Sequence, residues 1–508
     1  MKSRTKLWTS AVCLLAALVM TLGVTAQETP LLSQNFQHHK YKLVDLGTLG
    51  GPNSQVDGAP PPMLNNGGTV AGEADTSSLC SYFDGFVSPA FKWQRGKLID
   101  MGLLPGGCFS LPNSINSKGM MAGSGDIGLI DPQTGLPEIR ADFRYKGRII
   151  NLGTFGGTNS LAGSVNSSGQ VTGFAENTDP DPWNFAGLVG LPSPTAWHAF
   201  LWLKNQLYDL GTLGGPDSGA GFINNNDQIV GDSFTNDTPN PVTGIPTLDP
   251  FFWSQGTMND VGTLGGTFGF GNALNDLGQV VGFSDLAGDL VDHAFFWENG
   301  VLTDIKTLGG PNSSANWIND AGQVVGTSDL TLSTHHAFIW QKGGTITDLG
   351  TIGTDPCSNG FFINASGQVI GTTTDCQGTI LHTFLWEMGS MVDISDQVLP
   401  GSGFTFVEPV VINDSGEIVG NGGLPNGDIH AVVLKPSTLL FEINAEETSE
   451  VATNASTAVS SAVKQNSLTS WREAPVLSPL DRLRHQIRQH YHIPGRPGNN
   501  DGLAGIAP

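Results

Sequence analysis

Five histidines recur at one position of a repeated pattern: His198, His293, His336, His382 and His430. Imidazole is the commonest metal ligand among side chains. The spacing argues against that role. Each histidine opens the same short strand of a different repeat, so the five are held apart by whole structural units and do not converge on one ion. Their expected duty is structural, as hydrogen-bonding groups between strands.

Residues that differ between repeats are better candidates for chemistry. From a repeated glycine to the residue that ends the next strand, the last four repeats take 14 or 15 residues, whereas the first four take 21, 22, 29 and 22. The long stretches contain Tyr82, Phe83 and Phe86, then Asp126 and Asp131, then Glu176, Asp179, Asp181 and Trp183, then Phe234 and Asp237. Exposed aromatic rings stack on sugars, and carboxylates bond hydroxyls or take up calcium. Tyr82, Phe83, Asp179, Asp181, Trp183 and Phe234 are therefore the candidate ligand-binding residues. No specific calcium motif supports a cofactor, and the sequence has no HExxH, GxSxG, Walker loop or CxxC pair. No catalytic residue or metal ligand is assigned.

An eightfold repeat must position these residues. Its first anchor is an Asp or Asn before an LGTLGG-like stretch: Asp45, Asp100, Asn151, Asp209, Asp260, Asp304, Asp348 and Asp393. The second is the Asn of an "IN" pair: Asn65, Asn116, Asn166, Asn224, Asn275, Asn319, Asn364 and Asn413. The third is a Gly seven residues later, from Gly72 to Gly420, and that spacing never varies. Each unit reads as four short β-branched or aromatic strands. Asn-Asp-x-Gly closes one hairpin and a glycine past the aromatic strand closes another. Asp227 and Asn205 replace those glycines in one unit each and are among the few residues that tolerate positive φ.

Four antiparallel strands in about 45 residues, repeated eight times, predict an all-β fold: a closed β-propeller with eight four-stranded blades over residues 41–436. The tight turns belong inside a blade and the LGTLGG stretch crosses between blades. On that phase residues 41–47 have no aromatic strand before them and residues 430–434 have no strand after them. The N-terminal strand should therefore close the last blade, and the four long stretches should crown one face.

Composition bounds the partners and the compartment. Lys2, Arg4 and Lys6 precede an apolar run, with a small-residue cleavage site at Val24–Ala26, which predicts a secretory signal peptide over residues 1–26. No later stretch approaches the roughly 20 apolar residues of a membrane span, so the mature chain is expected to be secreted, extracellular or periplasmic. The formal net charge is -23, which repels phosphate backbones and argues against nucleic acid. Beyond the leader, Cys80, Cys108, Cys357 and Cys376 make an even count. Export then predicts two disulfides, and the loop assignments pair 80 with 108 and 357 with 376. Residues 437–508 read as a linker and tail with a short helix at 479–491, where Leu480, Leu483, Ile487 and Tyr491 share one face beside Arg482, Arg484 and Arg488.

His-Ala-Phe-x-Trp at 198–202, 293–297 and 336–340, together with the DLGTLGG and INDxGQVVG segments, resembles the extracellular HAF-repeat family over residues 42–434. The first, second and fourth units depart from it, with Pro89, Ala141 and Asp249 at the histidine position. The resemblance implies a secreted bacterial repeat protein and carries no catalytic residues. Two functions remain in view. One is a non-catalytic propeller that binds a glycan, protein or cell-envelope ligand on the long-loop face. The other is a carbohydrate-active hydrolase or lyase with carboxylates at the propeller mouth, which for hydrolysis would need two carboxyls about 5–9.5 Å apart.

Overall fold

The computed structural model describes residues 38–437, apart from 57–61, 83–84, 133, 184, 186–192 and 242. The expected signal peptide, the tail with its helix at 479–491, and Phe83 lie outside the described residues. The fold is all-β. Its repeating element is a four-stranded antiparallel meander, as in β22 (Ser313–Ile318), β23 (Gln323–Asp329), β24 (His335–Gln341) and β25 (Thr347–Asp348). Six sheets have four strands. A seventh has eight, because β16 (Pro246–Ser254) and β18 (Gly265–Leu274) meet at the single parallel pair Leu248–Phe268. This is β-propeller architecture.

The repeated sequence explains the repeated unit. Asn319 Oδ1 accepts from the backbone N–H groups of Ala321 and Gln323, at 3.1 and 3.0 Å, and so holds the first hairpin turn. Gly322 closes that turn at φ +74°. Asp227 and Asn205 stand in for turn glycines at φ +59° and +64°, as expected from their tolerance of that region. The unvarying third-anchor glycine has a different cause. At Gly326 an added Cβ would lie 2.0 Å from the Ser314 carbonyl oxygen and 2.8 Å from the Phe338 ring. The phenylalanine of the HAF strand lies across that glycine, so no side chain fits there.

Units are joined by the same side chains. Asn65 Nδ2 donates to the Asn116 carbonyl at 2.8 Å, and Asn116 donates to Asn166 at 2.7 Å. The series continues through Asn166, Asn224, Asn275, Asn319 and Asn364. Asn413 then donates to the Asn65 carbonyl at 3.2 Å, which returns the circuit to its start. Aromatic pairs between successive units run parallel to it: Phe143–Trp202 at 5.1 Å, Phe252–Trp297 at 4.8 Å and Phe296–Trp340 at 5.3 Å between ring centroids. The repeated tryptophans are therefore packing residues.

The predicted closure is present. β1 (Tyr41–Asp45) pairs antiparallel with β32 (Ile429–Pro436), in register from Tyr41–Pro436 to Asp45–Val432. That sheet runs β1-β32-β31-β30, with β31 at Ile418–Gly423 and β30 at Phe406–Ile412. The first residues of the described chain thus complete the sheet made by the last.

Three of the expected long loops are largely strand. β7 (Met121–Ile130) pairs with β8 (Pro137–Tyr145), β11 (Val171–Pro180) with β12 (Thr195–Leu203), and β15 (Ile229–Pro239) with β16. The extra residues prolong the second and third strands of units two to four, with a register shift partway along each pair. No helix among the described residues is long and apolar enough to cross a membrane.

Candidate functional site

The histidines pair with the repeat carboxylates. Nδ1 of His198, His293, His336 and His430 lies 2.9, 3.0, 2.8 and 3.0 Å from the carboxylates of Asp209, Asp304, Asp348 and Asp45. Burial alone would lower the His198 imidazole, but the Asp209 hydrogen bond and charge raise it overall. The aspartate also accepts the N–H two residues on, as Asp209 does from Gly211 at 2.7 Å. The side chains that recur most are thus held within the repeat. Unit seven differs, since His382 turns to Asp355 at 2.6 Å. Asp393 there caps a four-residue helix, Ile394–Gln397, by accepting from the Ser395 N–H.

The non-repeated carboxylates fall into two groups. Buried ones hold the crossovers. Asp126 Oδ1 accepts from the N–H groups of Cys108 and Phe109, both at 2.8 Å, and burial raises its pKa against those bonds. Glu176 accepts from Thr158 N, Thr158 Oγ1 and Asn159 N between 2.6 and 2.9 Å. Asp131 is buried in its hairpin turn and accepts from Thr134 Oγ1. Asp179 and Asp237 are exposed.

The six candidate ligand residues therefore divide. Tyr82 is half-buried and its hydroxyl donates to Asp126, which docks the first long loop on the second unit. Asp181 is buried and caps a turn through Trp183 N and Phe185 N, both at 2.7 Å. Trp183 is partly exposed and packs against the cluster containing Phe174, Trp197 and Phe270. Phe234 was expected as an exposed platform. It is instead fully buried and edge-on to Phe185, 5.5 Å between centroids, because the prolonged β15 turns it into the core. Of the described candidates Asp179 is exposed, Tyr82 and Trp183 are partly so, and Asp181 and Phe234 are buried.

Both disulfides join the predicted partners, with Cα–Cα distances of 5.7 Å for Cys80–Cys108 and 5.3 Å for Cys357–Cys376. The first fastens the first long loop to the second unit's crossover, beside the Tyr82–Asp126 bond. Two disulfides point to an oxidising compartment.

Two acid pairs escaped the sequence reading. Asp217 is fully buried and takes the Trp197 N–H on Oδ1 at 2.8 Å. Burial, then the adjacent Asp181 charge, pushes its pKa up to about 8. Asp249 stands where other units have histidine and faces Asp260; burial and that neighbour raise it to about 7. Aligning the repeats supplies the missing signal. Asn53, Asn159 and Asn312 occupy the column of Asp217. Each accepts a backbone N–H on Oδ1 and donates through Nδ2 to a carboxylate: Asp75, Glu176 and Asp329 respectively. Asp217 can reproduce that second bond, toward Asp181, only as a protonated acid. Among the described residues no group of three or more His, Cys, Asp or Glu side chains could hold a metal.

No family model matches the sequence, and no curated protein matches it. Solved structures similar to this chain include three propeller-bearing proteins. The β-propeller domain of the trilobed protease from Pyrococcus furiosus is 11% identical, covering 70% of this chain and 97% of that one, at a TM-score of 0.37. Dipeptidyl peptidase 4 of Porphyromonas gingivalis is 9% identical, covering 76% of this chain and 64% of that one, at 0.44. A Trypanosoma rangeli sialidase is 10% identical, covering 72% and 58%, at 0.30. At such identities and scores, none of these likenesses bears on what this chain binds or does.

Proposed function

We propose that the protein is a secreted, non-catalytic binding or scaffolding module: a closed ring of eight blades, akin to the HAF-repeat family, that presents the long loop of its first unit and the prolonged hairpins of units two to four to a glycan, protein or cell-envelope ligand. The ring count is supported by the asparagine circuit, which returns from Asn413 to Asn65 after eight steps. Secretion is supported by the leader-like N-terminus and the two disulfides.

One observation carries the binding reading. The non-repeated segments are pre-ordered by strand pairing from β7 to β16, by the Cys80–Cys108 bridge and by the Tyr82–Asp126 bond. A surface fixed before the ligand arrives loses less entropy on binding. Asp179 and Trp183 offer a carboxylate and a partly exposed ring on that surface. The test is a glycan-array screen of the purified mature chain, with and without calcium, followed by product analysis of each hit. Binding with the ligand intact, weakened at least tenfold by Trp183→Ala, supports the module. A hit that is cleaved overturns it in favour of a hydrolase or lyase.

A further inference from the structure

The tips of the second-to-third-strand hairpins share a feature that the repeat does not require. Leu332 is 93% exposed, Leu290 72% and Leu79 70%, and Leu129 and Ile380 at the equivalent tips are exposed as well. Five units thus place a bare aliphatic side chain at the same end of the ring. Leu277, Val301 and Met388 are exposed at the opposite end, so the aliphatics are concentrated at the tips without being confined to them. A concentration on one face marks an interaction surface, whereas scattered ones need no explanation.

Basic side chains are segregated along the same axis, although acids occur at both ends. The described turns between the second and third strands carry no Lys or Arg; Arg140, just past one of them, is tied to Glu138 at 3.0 Å, and Lys306 on a crossover at the same end is paired with Asp304. Half-buried carboxylates flank the leucines there, Asp285 and Asp292 on either side of Leu290 and Asp329 before Leu332, and Asp179 and Asp237 are exposed on the hairpins of units three and four. The turns at the opposite end hold Arg95, Lys97, Lys118, Lys146, Lys204 and Lys342. The occupant that fits an acidic, aliphatic face is a basic amphipathic segment. This chain encodes one at residues 479–491, with Leu480, Leu483, Ile487 and Tyr491 at helical spacing and Arg482, Arg484 and Arg488 between them.

Reach is sufficient. β32 ends at Pro436, at the end of the ring away from the hairpin tips. About 40 residues separate it from the segment, and a random coil of that length spans about 35 Å. A ten-residue strand measures about 33 Å.

We propose that residues 479–491 dock on the hairpin-tip face of their own chain, apolar positions against the tip leucines and arginines against the carboxylates. The inference shares its choice of face with the binding module, but it concerns the chain itself and needs no external ligand. Hydrogen exchange on the full-length protein tests it. The expected result is at least tenfold slowed exchange in 479–491, independent of protein concentration and lost in both L290D/L332D and R482E/R484E/R488E. The substituted leucines are solvent-exposed, so unchanged exchange in the ring strands will certify the fold. Exchange at the intrinsic rate in the wild type overturns the proposal, as does protection that survives the leucine substitutions. Protection that appears only as the protein dimerises assigns the face to a second copy instead. None of these outcomes depends on whether a glycan binds, so the two readings fail separately.

Discussion

Asn is expected to serve better than Asp at position 217, and the gain should depend on pH. In the folded chain the Asp217 carboxyl stays protonated to about pH 8, whereas an ordinary unfolded aspartate ionises near pH 4. Between those values the folded state holds a proton that the unfolded state has released, so stability falls as pH rises through the window. The slope limit for one proton is about 1.4 kcal/mol per pH unit, and four units set a ceiling of roughly 6 kcal/mol. Sharing the proton with Asp181 divides the effect, so about half that ceiling is the working expectation. Asp217→Asn keeps the acceptor for Trp197 N–H and supplies a permanent donor toward Asp181, the arrangement already found at Asn53, Asn159 and Asn312. Equilibrium denaturation followed by tryptophan fluorescence at pH 4, 6 and 8 should show the two proteins equal at pH 4. The variant should lead by about 3 kcal/mol at pH 8. Parallel pH profiles would refute the shared-proton reasoning.

Four further outcomes are expected. Asp249→His should rebuild with Asp260 the imidazole–carboxylate pair of His198 and Asp209; because Asp249 is raised to about 7, the gain in melting temperature should be present at pH 7 and shrink as the pH is lowered toward 4. Asn413→Ala removes the donor to the Asn65 carbonyl and the acceptor of the Ser415 and Glu417 N–H groups, all buried or partly so. It should cost about 2–4 kcal/mol in denaturant unfolding. Reducing the disulfides, which close sequence separations of 28 and 19, should cost up to about 3–4 kcal/mol each; unreduced peptide mapping checks the pairing first. Deleting residues 27–48 removes β1 and bares the edge of β32, so the truncated chain should unfold at much lower denaturant; an unchanged midpoint would disprove closure through that strand.

Sequence was a good guide wherever a residue's duty is the same in every unit. The Asn-to-Gly spacing is fixed because Asn319 holds its own turn while bonding the next unit, and because Phe338 lies over Gly326. The closing strand was readable for a related reason: an unpaired half-unit at each end has one place to go. The candidate site was read less well. Aromatics and carboxylates in a long stretch look alike whether they face solvent or core, and that choice is made by how far the strands continue. β15 runs to Pro239, so Phe234 is interior. β11 runs to Pro180, and Asp181 just beyond it caps a buried turn while Asp179 just before it stays in water.

The repeat supplies its own reference state. A polar side chain that recurs with the same duty, such as the anchor asparagine in all eight units or the histidine paired with the repeat aspartate in four, is explained by the repeat and carries no information about a ligand. A buried group that breaks its column is different, since the other units show that the fold does not need it. Asp217 and Asp249 are such groups, each a carboxylate where sister units carry an amide or an imidazole, and both lie in unit four. Each makes the chain less stable than its own repeat would allow as pH rises toward 7 or 8. Destabilising departures concentrated in one unit are what an element that must loosen needs, because local opening draws on the least stable parts of a structure. The Asp217–Asp181 contact joins the crossover before unit four to the prolonged hairpin of unit three, which also bears Asp179 and Trp183. Loss of the Asp217 proton is therefore expected to loosen the hairpin that carries Asp179 and the partly exposed Trp183.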